Sequence, residues 1–326
     1  MATRRHDDAL EPAAIRAGRD RVPAVFRDSP QYVHEALSAR AGRPVVVKVE
    51  SVNPIGSFKG RGCWLAIESL AGEGTIGPDR PVVVASAGNF GQGVAYAARA
   101  LKIPVVVFAS EHANAVKLER MHVLGATVIQ SGHDFDAARV AAAAYATEKA
   151  AHLLVDGQEP LIAAGAGSLA VELTDAAERG DLPALASVWI PVGNGALITG
   201  VGAWLRGVQP RCQVIGVQSE AAASMTLSFR ADRVVETPTA DTFADGIAAR
   251  VPIPEALDMM VGRVDDMVLV SEDAIRAAQA ELTLALGVTV EGAAAASWAG
   301  LLGSRDAPTG AALILVTGSN VPAPVA

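Results

Sequence analysis

The chain is poor in aromatic side chains (4%), in cysteine and in positive charge, and each shortage closes off a class of function. Its two cysteines, Cys63 and Cys212, form no CxxC pair and no Cys/His cluster, so neither a disulfide framework nor a structural zinc site is expected. There are 27 lysines and arginines against 35 acidic residues, a net charge of −8, the wrong sign for nucleic acid or an anionic membrane. Neither is expected as a partner, which leaves small molecules as the leading ligand class. The histidines His6, His34, His112, His122, His133 and His152 include no HExxH, and each is expected to be structural or exposed. No GxSxG nucleophile elbow occurs; Ser168, in Gly165-Ala166-Gly167-Ser168, is expected to cap a helix. The first twenty residues carry Arg4, Arg5, Asp7, Asp8 and Glu11 and lack the apolar stretch of a signal peptide, so a cytoplasmic location is expected. Mean hydropathy is +0.30, yet the two uncharged stretches, 188–205 and 307–326, are broken by Pro, Gly, Asn or Thr. They read as strand, loop and helix, not as membrane spans.

What the chain does have is length and alternation. Its 326 residues are enough for two domains with a cleft between them. Eight short apolar, β-branched runs, at Val45–Val47, Val82–Val84, Val105–Phe108, Thr127–Ile129, Val188–Ile190, Val214–Val217, Met267–Val270 and Leu313–Val316, alternate with Ala-rich segments of helical length. This is the pattern of an α/β protein whose mostly parallel sheets are covered on both faces. Such sheets bind ligands beyond the carboxyl ends of their strands.

Three strand-following loops carry chemistry. In Gly56-Ser57-Phe58-Lys59-Gly60-Arg61-Gly62, ahead of a helix expected over Cys63–Leu70, a lone lysine stands among small and aromatic residues. Partial desolvation there makes an ammonium easier to deprotonate and suits it to imine chemistry; a solvated surface lysine is the plainer alternative. Ser86-Ala87-Gly88-Asn89-Phe90-Gly91-Gln92-Gly93 can present successive amides to a carboxylate, or can be a tight turn with Asn89 left-handed. Pro191-Val192-Gly193-Asn194-Gly195-Ala196-Leu197 opens a helix in the manner of a phosphate cradle, without the lysine of a P-loop or the spacing of GxGxxG.

Taken in this order the three loops resemble the serine/threonine dehydratase branch of the fold-type II pyridoxal-phosphate enzymes, which includes serine racemase, cysteine synthase and threonine synthase. The resemblance also takes in Val47-Lys48-Val49-Glu50, Phe243-Ala244-Asp245-Gly246-Ile247, Glu291-Gly292-Ala293 and Thr317-Gly318-Ser319-Asn320, and so covers nearly the whole chain. It implies a two-domain tryptophan-synthase-β-like architecture, with residues 1–70 and 157–326 as a large cofactor-binding domain and 71–156 as a small one. It implies pyridoxal 5'-phosphate as cofactor, with Lys59 as the lysine that binds it and acts as catalytic base. Asn89 would meet the ring oxygen, Gly193, Asn194, Gly195, Ala196 and Leu197 the phosphate, and Thr317 the pyridine nitrogen, with Phe58 and Glu291 also around the cofactor. Ser86, Ala87, Gly88, Asn89, Phe90 and Asp245 would meet an amino-acid substrate.

The implied activity is that of a lyase that eliminates the β-hydroxyl of a serine- or threonine-like amino acid, leaving a 2-oxo acid and ammonia. β- or γ-replacement, as in the cysteine or threonine synthases, is the alternative. A non-catalytic relative would have lost Lys59, and a nicotinamide-binding protein would lack the visible absorbance of a lysine-bound cofactor. Four departures bear on the outcome. Phe90 stands where the dehydratases commonly carry histidine, which makes the pocket more apolar. Asn194 and Ala196 replace glycines, and Thr317 replaces serine. Racemase relatives carry a serine where this chain has Ala87, so racemisation is not expected. Glu220 is followed by Ser224 and Thr226 where a second carboxylate ligand would be wanted, and no metal is expected. A homodimer is expected from the resemblance; the feedback-controlled relatives carry an extra C-terminal effector domain, whereas this sequence ends six residues beyond Asn320, so no C-terminal regulatory domain and no inhibition by isoleucine are expected.

Overall fold

The computed structural model describes residues 8–321; Arg4, Arg5, His6, Asp7 and the stretch 322–326 lie outside them. All eight apolar runs form strands. In chain order the strands are β1 Gln31–Val33, β2 Val45–Val49, β3 Val82–Ala85, β4 Val105–Ala109, β5 Thr127–Gln130, β6 His152–Leu153, β7 Leu185–Pro191, β8 Gln213–Ser219, β9 Asp266–Val270 and β10 Ala311–Val316. They build a six-stranded sheet of order β1-β2-β10-β7-β8-β9 and a four-stranded sheet of order β5-β4-β3-β6. Every pairing is parallel except that of β1 with β2. The mixed α/β class with mostly parallel sheets is thus as the alternation of the sequence requires.

Parallel strands covered on both faces must bury alternate side chains in two different cores. Val46, Val188, Ile190, Val214, Leu313 and Leu315 enter one core, which continues into the four-stranded sheet through Val82, Val84, Val105 and Val107. Val45, Val47, Trp189, Ile215, Val217, Ile314 and Val316 point the other way, against Trp298 and the helix Gly292–Gly303. Val83, Val106 and Phe108 meet Ala138, Ala142 and Ala146 of the helix Phe135–Glu148.

The helix after β2 starts at Lys59, four residues earlier than expected, and runs Lys59–Gly72. Gly60 and Gly62 look like turn residues in the sequence. Gly62, however, is a contact: a Cβ there would lie 2.3 Å from the Ile162 carbonyl of the helix Pro160–Glu178. On the other side of that helix, a Cβ at Gly200 would lie 1.8 Å from the Ala163 carbonyl, so the helix Ala196–Val208 also packs backbone to backbone. One central helix thereby spaces the two helices that begin at the lysine and cradle loops.

Ser168 is not a cap. It sits inside the helix Pro160–Glu178, where its hydroxyl donates to the Gly165 carbonyl (2.6 Å) and accepts from Arg61 Nη1 (3.2 Å). It borders a buried cluster of four charges. Lys48 Nζ lies 2.7 Å from Glu172 Oε2, and Arg61 bonds both Glu50 (Nε to Oε2, 2.7 Å) and Glu172 (Nη1 to Oε1, 2.7 Å). No helix among the described residues is long and apolar enough to cross a membrane.

Candidate active site

The carboxyl ends of β3, β7 and β10 open onto a cavity of about 300 Å³ between the two sheets. The residues that the resemblance assigns to cofactor and substrate all line it: Phe58 and Lys59, Ser86, Ala87, Gly88, Asn89 and Phe90, Gly193, Asn194, Gly195, Ala196 and Leu197, and Asp245, Glu291 and Thr317.

Lys59, the first residue of its helix, keeps 15% of its side chain exposed. Its Nζ lies 5.0 Å from the centre of the Phe58 ring and 5.7 Å from that of Phe90. It is also 2.6 Å from Asp156 Oδ2, a partner that the sequence did not disclose. The other oxygen of Asp156 is buried without a hydrogen-bond partner, and Asn194 Nδ2 lies 3.5 Å from Oδ2.

In the second loop Ser86 shapes its own turn. Its Oγ accepts from the amides of Gly88 (3.2 Å) and Gly91 (2.9 Å), leaving the hydroxyl hydrogen to donate. Asn89 starts the helix Asn89–Ala100 and is not left-handed. Its amide donates to Glu291 (3.2 and 2.9 Å to the two oxygens) and accepts from Asn320 Nδ2 (2.7 Å). Burial pushes the Glu291 carboxyl above its ordinary range, against the pull of Lys117.

Asp245 is about half exposed and forms an ion pair with the buried Lys117 of the helix Ala115–Val123, which belongs to the four-stranded sheet's side. Arg250 and Asp136 make a second such pair at 2.6 Å. Lys117, Asp136 and Arg250 all line the cavity, and none carried a signal in the sequence. Away from the cavity, Ser224 donates to the Ala249 carbonyl and Thr226 to Gln218, while Glu220 is exposed. Among the described residues no group of three His, Cys, Asp or Glu is placed to hold a metal.

Residues 25–318 match the family model described as pyridoxal-phosphate dependent enzyme. The chain belongs to that family. Over 308 residues it is 32% identical to L-threonine ammonia-lyase of Geobacter sulfurreducens, covering 94% of this chain and 75% of that one. It is 35% identical over 285 residues to L-threonine ammonia-lyase of Thermotoga maritima, covering 87% and 69%. The solved structure of the processed form of threonine deaminase isoform 2 from Solanum lycopersicum superposes with a TM-score of 0.86 at 28% identity, covering 97% of this chain and 85% of that one. The fold is therefore fold-type II and the cofactor of this enzyme is pyridoxal phosphate.

The residues present fit that group. Gly195 has φ +87° and caps the helix Ala196–Val208 without any side-chain bond, which leaves the helix's N-terminus to an anion. A Cβ at Gly193 would lie 2.6 Å from the Gly246 carbonyl, so no larger residue fits that part of the cradle. Lys59 supplies an amine for an aldehyde, and Thr317 a neutral hydroxyl for a ring nitrogen.

Proposed function

We propose that this enzyme is an ammonia-lyase that removes the β-hydroxyl of a serine- or threonine-like amino acid and yields a 2-oxo acid and ammonia. The observation that carries this reading is the convergence of one amine, two amide-rich anion sites and a neutral hydroxyl on a single cavity. Its similarity to two L-threonine ammonia-lyases supports the same chemistry.

In this reading the uncapped helix start at Gly193–Leu197 binds the phosphate of the cofactor, and Asn89 donates to its phenolic oxygen. Phe58 and Glu291 flank the ring. Pyridoxal phosphate, when bound, supplies a ring that draws electrons from bonds at the substrate's Cα. The Lys59 amine, once free, takes the Cα proton, and Asp156, 2.6 Å from its nitrogen, holds the resulting ammonium. Thr317 cannot carry a negative charge, so it leaves the ring nitrogen less protonated than a carboxylate would, favouring prompt loss of a β-substituent. The loop Ser86–Phe90 binds the substrate carboxylate through its amides and the Ser86 hydroxyl.

We further propose that residues 71–156, which carry the four-stranded sheet, form a small domain, and that 1–70 with 157–326 form the large one. A cytoplasmic homodimer completes the reading. The test is a panel of L-serine, L-threonine, phenylserine and 3-hydroxyaspartate assayed for 2-oxo acid and ammonia without added nucleophile. Release of both from at least one supports elimination. Turnover only after a nucleophile is added would replace the reading with β- or γ-replacement.

A further inference from the structure

The Asn89 amide is held from two sides, at Nδ2 by Glu291 in the cavity and at Oδ1 by Asn320 outside it. Asn320 is buried, and both hydrogens of its Nδ2 are committed: one to the Ile55 carbonyl (2.8 Å), the other to Asn89 Oδ1 (2.7 Å). Its backbone N–H donates to Glu291 Oε1 at 2.7 Å. Turning the Asn320 amide over would set its oxygen against two acceptors, so a main-chain carbonyl fixes Asn320 and Asn320 in turn fixes Asn89. The cost is visible in the structure: Asn320 Oδ1 is left buried without a hydrogen-bond partner.

We propose that Asn320 is a positioning residue that makes Asn89 present N–H, not oxygen, to the cavity. With Oδ1 held by Asn320 and one amide hydrogen shared between the two oxygens of Glu291, the second hydrogen of Asn89 remains to donate. The same contacts tie the cavity's parts together. Ile55 precedes the lysine loop, and the Phe58 amide donates to the Thr317 carbonyl (3.1 Å). The device therefore couples the lysine loop, the loop after β10 and Asn89 into one unit. It rests on the reading of Asn89 as donor to the phenolic oxygen of the cofactor.

The test compares holoenzymes of N320D, N320A and N89A with the wild type, by the position of the visible absorption band and by the Kd for pyridoxal phosphate. N320D sets an acceptor against Asn89 Oδ1 while Glu291 still holds Nδ2, so the Asn89 amide loses one of its two holds and is pushed out of line with the oxygen of the cofactor. The Kd is expected to rise about tenfold, equivalent to about 1.4 kcal/mol, and the band to move in the direction seen in N89A. N320A adds no charge, changes both readouts in the same direction by less, and decides the matter should N320D fail to fold. The N89A/N320A double variant is expected to match N89A alone, because the effect passes through that amide. Wild-type band and Kd in both N320D and N320A, beside altered values in N89A, would overturn the positioning role and leave the reading of Asn89 intact. An unchanged N89A would instead bring down that reading, and the proposal with it.

Discussion

Lys59 has two kinds of neighbour, and only one kind was legible. Phe58 lies beside it in the chain and was visible as part of a motif, whereas Asp156 comes from 97 residues away and reaches the ammonium only through the fold. An isolated Asp after the apolar run Leu153–Val155 carries no periodicity or motif to mark it. Lys117 and Arg250 escaped for the same reason, since each is held in place by a partner on the facing sheet's side. Lys59→Ala is expected to abolish the visible absorption of the holoenzyme and to lower turnover by at least about 10³-fold, with the far-UV circular dichroism unchanged. A variant that turns over at the wild-type rate would remove Lys59 from the mechanism. Ala87 makes a second expectation at this scale. Its methyl group cannot exchange a proton with Cα, so L-serine, where it is turned over, should give pyruvate with negligible D-serine. Chiral chromatography decides this, and Ala87→Ser tests it from the other side by a gain of D-serine.

At the scale of elements, strands were readable and their edges were not. Most of the eight recognised strands are short apolar runs that a sheet buried on both faces accommodates, whereas β5 was legible from its β-branched residues although its side chains are half-buried or exposed. β1 and β6 are three and two residues long, with half-buried or exposed side chains, and their pairing is fixed by their neighbours more than by their composition. The early start of the Lys59 helix and the interior place of Ser168 went unread because glycine signals a turn locally but a close contact in the fold. Gly62 and Gly200 face carbonyls of the same central helix, Pro160–Glu178. Gly200→Ala forces a methyl group against the Ala163 carbonyl, and the two helices must separate. The expected loss is about 3 kcal/mol, at the upper end of ordinary overpacking costs. The same displacement shifts the N-terminus of the helix at the cradle, so cofactor affinity should fall as well. Denaturant unfolding and a cofactor titration read the two effects; a midpoint equal to wild type would mean that the backbones are not held at this distance.

At the scale of the whole molecule, the four buried charges tie together parts of the chain that the cavity needs in register. Lys48 and Glu50 stand on or just after β2, Arg61 on the Lys59 helix and Glu172 on the central helix. Ser29 Oγ donates to Glu50 (2.6 Å), and Gln31 Oε1 accepts from Lys48 (2.9 Å), which brings the N-terminal segment into the same cluster. Such a cluster is weak evidence of net stability when intact, but removing one member strands its partners. It also makes the fold sensitive to acid. Burial by itself would raise the Glu172 carboxyl, but Arg61 and Lys48 outweigh it and hold the group at about 2, against an ordinary value of 4.5. A carboxyl depressed in the folded state contributes stability that is fully present above 4.5 and is lost as the pH falls toward 2. At about 1.4 kcal/mol per unit the contribution is on the order of 3 kcal/mol. Unfolding free energy measured by denaturant titration should therefore decline between pH 4.5 and 2 more steeply in the wild type than in Glu172→Gln. That variant is expected to be less stable at pH 7, with Lys48 and Arg61 left sharing Glu50, and to converge on the wild type in acid. Equal slopes for the two proteins over this interval would show that Glu172 is not what couples the fold to pH.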